Sequence, residues 1–184
     1  MTRPYRGLKK AGAGPPGMYL DPETFAVMTV DPGGVTGCAS GVFIPGPEGS
    51  PTMAGTIRGH RLDAREVHGD SLRQADEIAR LWTLFKLDLE RSGVKDLFLV
   101  IESFALRQRS VELSPVEITW ALLGQLKLRD RDRVVFQSPA QAKGFATTAR
   151  LKTWGLYSFG RGSDHKRDAL RHLALAVANR LELM

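Results

Sequence analysis

The amino-acid sequence predicts an α/β fold with a mixed five-stranded sheet flanked by helices, in the order βββαβαβα. Short apolar runs at residues 25–31 and 97–102 have the length and composition of buried strands. Helical periodicity extends over residues 72–89 and again over residues 164–182. A meander followed by strands that helices separate favours a sheet whose later strands are parallel.

The first three strands are predicted as a meander. Strand one covers residues 25–31, and the glycines of residues 32–37 supply a tight turn. Strand two extends from Cys38 to Ile44, and the loop after it is rich in proline and glycine. Strand three is expected within residues 52–62.

The central part of the chain predicts a helix, a strand and a second helix. Apolar residues recur at helical spacing up to residues 92–93, where Ser and Gly end the first helix. Strand four covers residues 97–102. The segment 114–117 has capping-box spacing and an early proline, so a second helix should begin with Ser114 as its cap. This helix carries Trp120, Leu123 and Leu126.

The last elements are a strand and two helices. Residues 133–137 form the fifth strand, residues 139–146 a short helix and residues 164–182 the final helix. The buried stripe of the final helix is predicted to be Leu170, Leu173, Ala174, Val177 and Leu181.

Length and composition indicate one well-cored domain at residues 25–184, preceded by a flexible basic arm at residues 1–24. No apolar run approaches the roughly 20 residues that span a bilayer, and the N-terminus lacks a signal-peptide pattern. Cys38 is the one cysteine, so no intrachain disulfide can form. We therefore expect a cytoplasmic protein.

Positive charge is concentrated in the second half of the chain. Residues 103–184 carry fourteen Lys and Arg against seven Asp and Glu, in a chain of net charge +6. This distribution is typical of proteins that follow a phosphate backbone, and a solvated basic surface gives the same composition. Charge alone leaves both interpretations open.

Three acidic residues stand at the ends of separate elements. Asp31 closes strand one, Glu102 closes strand four, and Asp168 lies in the first turns of the last helix. Alone, Asp31 fits a turn and Asp168 complements a helix dipole. Together they predict a site for hard divalent cations, because buried carboxylates need positive charge beside them and Mg²⁺ prefers oxygen ligands. A basic protein with such a site is predicted to be a nuclease.

Two histidines share a helix face with the last of these acids. His165, Asp168 and His172 are spaced i, i+3 and i+7, so one face of the helix can look down on the strand ends. Two Mg²⁺ ions roughly 3.5–4 Å apart would there stabilise the attacking and leaving oxygens of a phosphodiester displacement. His172 is expected to support the site or the fold.

The motifs together resemble RuvC, the Holliday-junction endonuclease of the RNase H-like superfamily, and phage-type members in particular. They are Asp-Pro-Gly-x-x-Thr-Gly at residues 31–37, the Glu that ends strand four, and His-x-x-Asp-Ala at residues 165–169. The resemblance covers about residues 25–180. It implies an RNase H-like fold and a Mg²⁺-dependent homodimer, with Mn²⁺ as a substitute, that cuts Holliday junctions and other branched DNA.

The resemblance also implies roles for individual residues. By position, Asp31, Glu102 and Asp168 would bind metal, and His165 would fill the fourth position as a ligand or as an aid to the attacking water. Asp164 is then expected to be the helix N-cap.

Several residues are expected to contact DNA. Phe104 follows the strand-four Glu where the family carries an aromatic that stacks on junction bases. Arg107 and Arg109 stand next to the site, where they would either clamp phosphates or be solvated by water. The basic face of the second half includes Lys143, Arg161 and Lys166.

Alternative functions remain open at the level of sequence. An RNase H acting on RNA–DNA hybrids and a non-catalytic DNA-binding module both fit the same fold. An actin-like ATPase would need two RNase H-like halves, and 184 residues hold one. The cysteine and histidines lack the spacing of a zinc site, and there is no P-loop.

Overall fold

One sheet and the helices on its two faces make up the part of the chain that a computed structural model describes, residues 24–43, 62–104 and 113–182. Its strands are β1 (Phe25–Asp31), β2 (Thr36–Phe43), β3 (Leu62–Val67), β4 (Asp96–Glu102) and β5 (Val134–Gln137). Its helices are α1 (Ser71–Arg91), α2 (Ser114–Gln125), α3 (Leu128–Arg131), α4 (Pro139–Phe145), α5 (Thr148–Thr153) and α6 (Asp164–Glu182).

The strand order in the sheet is β3-β2-β1-β4-β5. The pairs β1–β2 and β2–β3 are antiparallel, whereas β1–β4 and β4–β5 are parallel. The predicted mixed five-stranded sheet is therefore confirmed. Because β1 lies at the centre, its carboxyl end meets that of β4, the strand that comes next to it through a helical crossover.

Alternate residues of the central strands face different helices. In β1, Ala26, Met28 and Val30 belong to the core with α1 and α2, whereas Phe25 and Val27 belong to the core with α6. This is the two-residue period of a strand that is buried on both faces, and the whole of β1 is buried. The same period in β4 separates residues 97, 99 and 101 from residue 100.

Three predicted boundaries differ from the structure. The third strand is Leu62–Val67 instead of residues 52–62, and residues 52–61 lie outside the described part. The second strand begins at Thr36, two residues before Cys38. Helices α3 and α5 were not predicted, because four and six residues are too short to show an apolar period.

Two predicted helix caps are wrong. The N-cap of α2 is Leu113, and Ser114 is its first helical residue, because Glu117 turns away to accept a hydrogen bond from Ser71 Oγ at 2.7 Å. The side chain of Ser163 caps α6 by accepting from the Lys166 N–H at 3.1 Å. Asp164, the expected cap, is therefore the first residue inside α6.

The apolar stripe of α6 is buried as predicted at Leu170, Leu173, Ala174 and Val177, and the side chain of Leu181 lies outside the described set. The predicted basic arm falls on residues that the structure does not describe, apart from Thr24. No helix in the described ranges is long and apolar enough to cross a membrane.

A buried ion pair joins α1 to α3. Lys86 Nζ lies 2.6 and 2.9 Å from the two carboxylate oxygens of Asp130, and both side chains are less than a tenth exposed. A lone charge here would be costly to bury, so each residue depends on the other.

Candidate active site

The two-residue period of the strands places two carboxylates on the face that α6 covers. Asp31 continues the series Val27 and Thr29, and the Thr29 hydroxyl donates to the carbonyl of Ala169 in α6 at 2.8 Å. Glu102 follows Val100 in the same way on β4. Because β1 and β4 pair in parallel through Val30 and Ile101, the two acids end adjacent strands at one edge of the sheet. Each is only 8% exposed.

The first turns of α6 bring His165 and Asp168 to these strand ends. His165 Nδ1 lies 3.7 Å from Asp31 Oδ2. The helix can approach this closely because residue 37 is glycine: a Cβ there would lie 2.0 Å from the His165 carbonyl oxygen. The first turn of α6 thus brings His165 to Asp31, whereas Asp168 is paired with Lys143. The metal-ligand set of Asp31, Glu102, His165 and Asp168 stays a prediction.

The crowding of carboxylates changes the acidity of Asp31. Burial, and then the negative charges of Glu102 and Asp168, raise its pKa from 3.8 to about 8, while the nearby Lys143 acts in the opposite direction. A hydrogen bond with Glu102 acts on the pKa of Asp31 in the same direction as these charges. Carboxyl groups this close disfavour joint ionisation unless a cation lies beside them.

The donor set fits a hard divalent cation. Three carboxylates and one imidazole from three elements supply the oxygen-rich environment that Mg²⁺ and Mn²⁺ prefer. In the arrangement described, no three His, Cys, Asp or Glu side chains among the described residues converge closely enough to hold one ion. The reason lies in Asp168, which faces basic side chains instead of the other acids.

Two cations hold Asp168. Lys143 Nζ lies 3.0 Å from Asp168 Oδ2, and the hydrogen bond between them raises the pKa of Lys143. Arg171, one turn along α6, is paired with the other oxygen. The guanidinium of Arg171 also donates to the Ala146 carbonyl at 3.2 Å and to Thr148 Oγ1 at 3.1 Å. The Asp168 carboxylate thus lies beside two cationic groups that can also bind phosphate.

A groove beside Asp168 leads away from the strand ends. Its volume is about 560 Å³, and two of its six lining side chains are basic. The groove is lined by Lys143, Thr147, Thr148, Asp164, Asp168 and Arg171.

The glycine-rich turn between β1 and β2 is held by α1. Gln74 accepts a hydrogen bond from the Thr36 hydroxyl at 2.5 Å and donates to the carbonyls of Gly34 and Gly69 at 3.1 and 2.9 Å. Because Gln74 is 1% exposed, these bonds are shielded from water. The turn that carries Asp31 is therefore fixed from the side opposite α6.

The remaining predicted DNA contacts are spread around the site. Phe104 follows Glu102 by two residues and is 40% exposed. Arg161 is exposed in the turn before α6. Lys166 lies near Glu66, whose pKa is lowered chiefly by a hydrogen bond with Ser163. Arg107 and Arg109 lie outside the described residues.

Four residues at or behind the site were missed from the sequence. Arg171 is one turn after Asp168, so the i, i+3 rule was sufficient to find it. Gln137 closes β5 at the same sheet edge as Glu102, which is also a readable signal. Gln74 and Glu66 reach the site through tertiary contacts that no local pattern reveals.

Comparison with known proteins gives a structural match. No model of a protein family and no curated protein matches the sequence. The RuvC structure from Thermus thermophilus is 19% identical, with a TM-score of 0.52, and the match covers 86% of this chain and 97% of that chain. The chain has a RuvC-like fold. A second structure, T. thermophilus RuvC in complex with Holliday junction substrate, matches at 17% identity with a TM-score of 0.51, over 85% of this chain and 96% of that one.

The match explains the arrangement of the sheet. A RuvC-like fold is an RNase H-like α/β fold, and the five-stranded mixed sheet with flanking helices agrees with it.

Proposed function

We propose that this chain is a RuvC-like, phage-type endonuclease that hydrolyses phosphodiester bonds in four-way junctions and other branched DNA. One observation carries the proposal. Asp31 and Glu102 end adjacent strands under the first turns of α6, with Asp168 near enough to raise the pKa of Asp31, in a chain with a RuvC-like fold. Nothing in the packing of the sheet requires this concentration of buried negative charge, which costs folding free energy.

Asp31, Glu102 and Asp168 would hold two Mg²⁺ ions, or Mn²⁺ in their place. When bound, these ions supply Lewis-acid stabilisation of the attacking and leaving oxygens. His165 stands 3.7 Å from Asp31, at the exposed side of the site, where it can ligate metal or accept a proton from the attacking water. Asp31 and Glu102 exclude bulk water from the strand ends by their burial.

The nucleic acid would lie along the groove beside Asp168. Lys143 and Arg171 line this groove, whose lining residues all come from the basic second half of the chain. Contacts of this kind bind the phosphate backbone whatever the sequence. Phe104, exposed just beyond Glu102, would stack on a base at the branch point.

Two further properties belong to the proposal. A homodimer would supply two such sites and so paired cuts on opposite strands. In the cytoplasm of a host cell, the activity would serve recombination or remove branches from phage DNA before packaging.

A substrate panel tests the proposed function. Purified protein with Mg²⁺ is mixed with a four-way junction, a flap, a linear duplex and an RNA–DNA hybrid, all carrying the same sequence in one labelled strand. We expect cutting of the branched substrates and little cutting of the duplex. Degradation of the hybrid alone would identify an RNase H, and binding of the junction without cutting of any substrate would identify a non-catalytic module.

A further inference from the structure

The buried histidine of α6 contacts one of the three carboxylates directly. His172 is 1% exposed, and its Nε2 lies 2.8 Å from Oε2 of Glu102. It stands one turn beyond Asp168 on the same face of α6. The other ring nitrogen, Nδ1, lies 3.1 Å from the side-chain amide of Gln137, the last residue of β5.

The Gln137 amide has one orientation that satisfies all of its neighbours. With Nε2 facing His172, it donates to Nδ1 and to the backbone carbonyl of His172 at 3.1 Å each, and Oε1 accepts from the Ala176 N–H at 3.3 Å. The opposite orientation would set the amide oxygen against that carbonyl, two acceptors facing each other. The first orientation is therefore the stable one.

The Gln137 donor decides where the imidazole proton lies. Because Nδ1 accepts the Gln137 N–H, the ring hydrogen must be on Nε2, and Nε2–H then donates to Glu102 Oε2. A chain of hydrogen bonds thus runs from the end of β5 through α6 to the end of β4. The register of the parallel strands β4 and β5 supports this chain of hydrogen bonds, because Glu102 and Gln137 are direct partners in it.

We propose that His172 and Gln137 are positioning residues that fix the Glu102 carboxylate for metal binding. The bond to His172 occupies Oε2 and leaves Oε1 as the oxygen for the metal. Gln137 holds the ring in the tautomer that donates. This assignment rests on the proposed function, because it supposes that Glu102 is a metal ligand.

The energetic expectation follows from the role. A carboxylate that loses the hydrogen bond to its supporting side chain is no longer held in one orientation before the metal binds. Loss of such a supporting residue typically weakens metal affinity about 10- to 100-fold. A purely structural histidine would change stability and leave metal affinity unchanged. The two roles therefore separate in a binding measurement.

Five proteins test the assignment: wild type, His172→Leu, His172→Gln, Gln137→Met and the control His68→Leu. Mn²⁺ binding is measured by calorimetry, and the unfolding free energy of each protein is measured in urea. We expect His172→Leu to bind Mn²⁺ about 10- to 100-fold more weakly. His172→Gln, which can still donate to Oε2, should recover to within a few-fold of wild type. His68→Leu, at an exposed histidine, is the matched control and should bind as wild type does.

The position of the proton on the His172 imidazole can be measured in wild type, so this part of the test does not depend on the folding of a variant. Nitrogen-15 NMR of wild type should show the His172 ring protonated at Nε2 only, with a slowly exchanging proton, and Gln137→Met should speed that exchange. A ring protonated at Nδ1 would overturn the assignment.

The outcomes distinguish this inference from the proposed function. A folded His172→Leu protein that binds Mn²⁺ within twofold of wild type overturns the role of His172, whatever the protein cuts. Wild type that binds Mn²⁺ in the expected pattern and cuts no nucleic acid overturns the proposed function and leaves the positioning role standing. Wild type that binds no Mn²⁺ overturns both.

Discussion

Replacing Asp31 with asparagine should make the protein more stable at alkaline pH while removing its activity. The reason is the raised pKa of Asp31, about 8 in the folded protein against 3.8 in the unfolded chain. A carboxyl group with a raised pKa favours the folded state when it is protonated. Its contribution to the free energy of unfolding is fully present below about pH 4 and is lost as the pH rises through 8.

The magnitude follows from the same two values. Each pKa unit corresponds to about 1.4 kcal/mol, so the difference between 3.8 and about 8 corresponds to an upper figure of about 6 kcal/mol. The repulsion involves Glu102 and Asp168 as well as Asp31, and these neighbours readjust when the Asp31 charge is removed. The measured difference in stability should therefore be smaller than the upper figure. We therefore expect the unfolding free energy of Asp31→Asn to be higher than that of wild type by about 2 kcal/mol or more at pH 8.5. At pH 4.5 the difference in unfolding free energy should be much smaller.

The assay is urea denaturation at the two pH values in EDTA, followed by the same titration with Mg²⁺ at pH 8.5. Wild type should gain about 2.7 kcal/mol at a Mg²⁺ concentration 100 times its dissociation constant, and Asp31→Asn should gain little. Asp164→Asn is the control, because it removes the same charge from a carboxylate that is 85% exposed in the first turn of α6. A gain in stability that does not grow with pH would refute the reasoning.

Three further predictions concern the close contact with α6, the groove and the buried ion pair. Gly37→Ala should lower the unfolding free energy by about 2 kcal/mol or more in urea and slow cleavage, because its Cβ would meet the His165 carbonyl at 2.0 Å. Lys143→Met should weaken binding to all DNA substrates and reduce the salt dependence of binding by about one phosphate contact, measured by fluorescence anisotropy. Lys86→Met should lower the unfolding free energy by about 3–5 kcal/mol in urea, because it leaves the buried Asp130 unpaired.

Matched variants separate these effects from general damage. Gly124→Ala adds a Cβ in α2 where nothing lies within 4 Å, so it should not destabilise the protein. Lys95→Met removes an exposed cation just before β4, at the opposite end of the sheet, and should leave DNA binding nearly unchanged. The double variant of Lys86 and Asp130 to methionine should recover most of the lost stability. Failure of any control to differ from its partner would contradict the corresponding prediction.

The ends of the central strands could be predicted because strand geometry is local. Both β1 and β4 are continuous apolar runs that end in an acid. Because side chains along a strand alternate between the two faces of the sheet, the two-residue period places Asp31 and Glu102 on one face. The i, i+3 and i+7 spacing on α6 likewise brought His165, Asp168 and His172 to that face. These positions on the strands and on α6 follow from periods that can be read directly from the sequence.

The supporting contacts could not be predicted in the same way. Gln74 lies on the face of α1 that a helical period describes only as buried, and its three hydrogen bonds depend on where the β1–β2 turn lies in space. The N-cap of α2 was wrong because Glu117 has a better partner in Ser71, far away in the chain. The short helices α3 and α5 could not be predicted for a different reason. Fewer than two helical turns carry no measurable period of apolar residues.

The central claim is that Asp31, Glu102 and Asp168 form one metal-dependent cleavage site for branched DNA. The most direct measurement is single-turnover cutting of a labelled four-way junction in Mg²⁺ by wild type, Asp31→Asn and Asp168→Asn, with junction binding by each protein checked in EDTA. The account predicts that all three bind and that only wild type cuts. Cutting by both variants at the wild-type rate, or the absence of cutting by wild type that binds the junction, would contradict it.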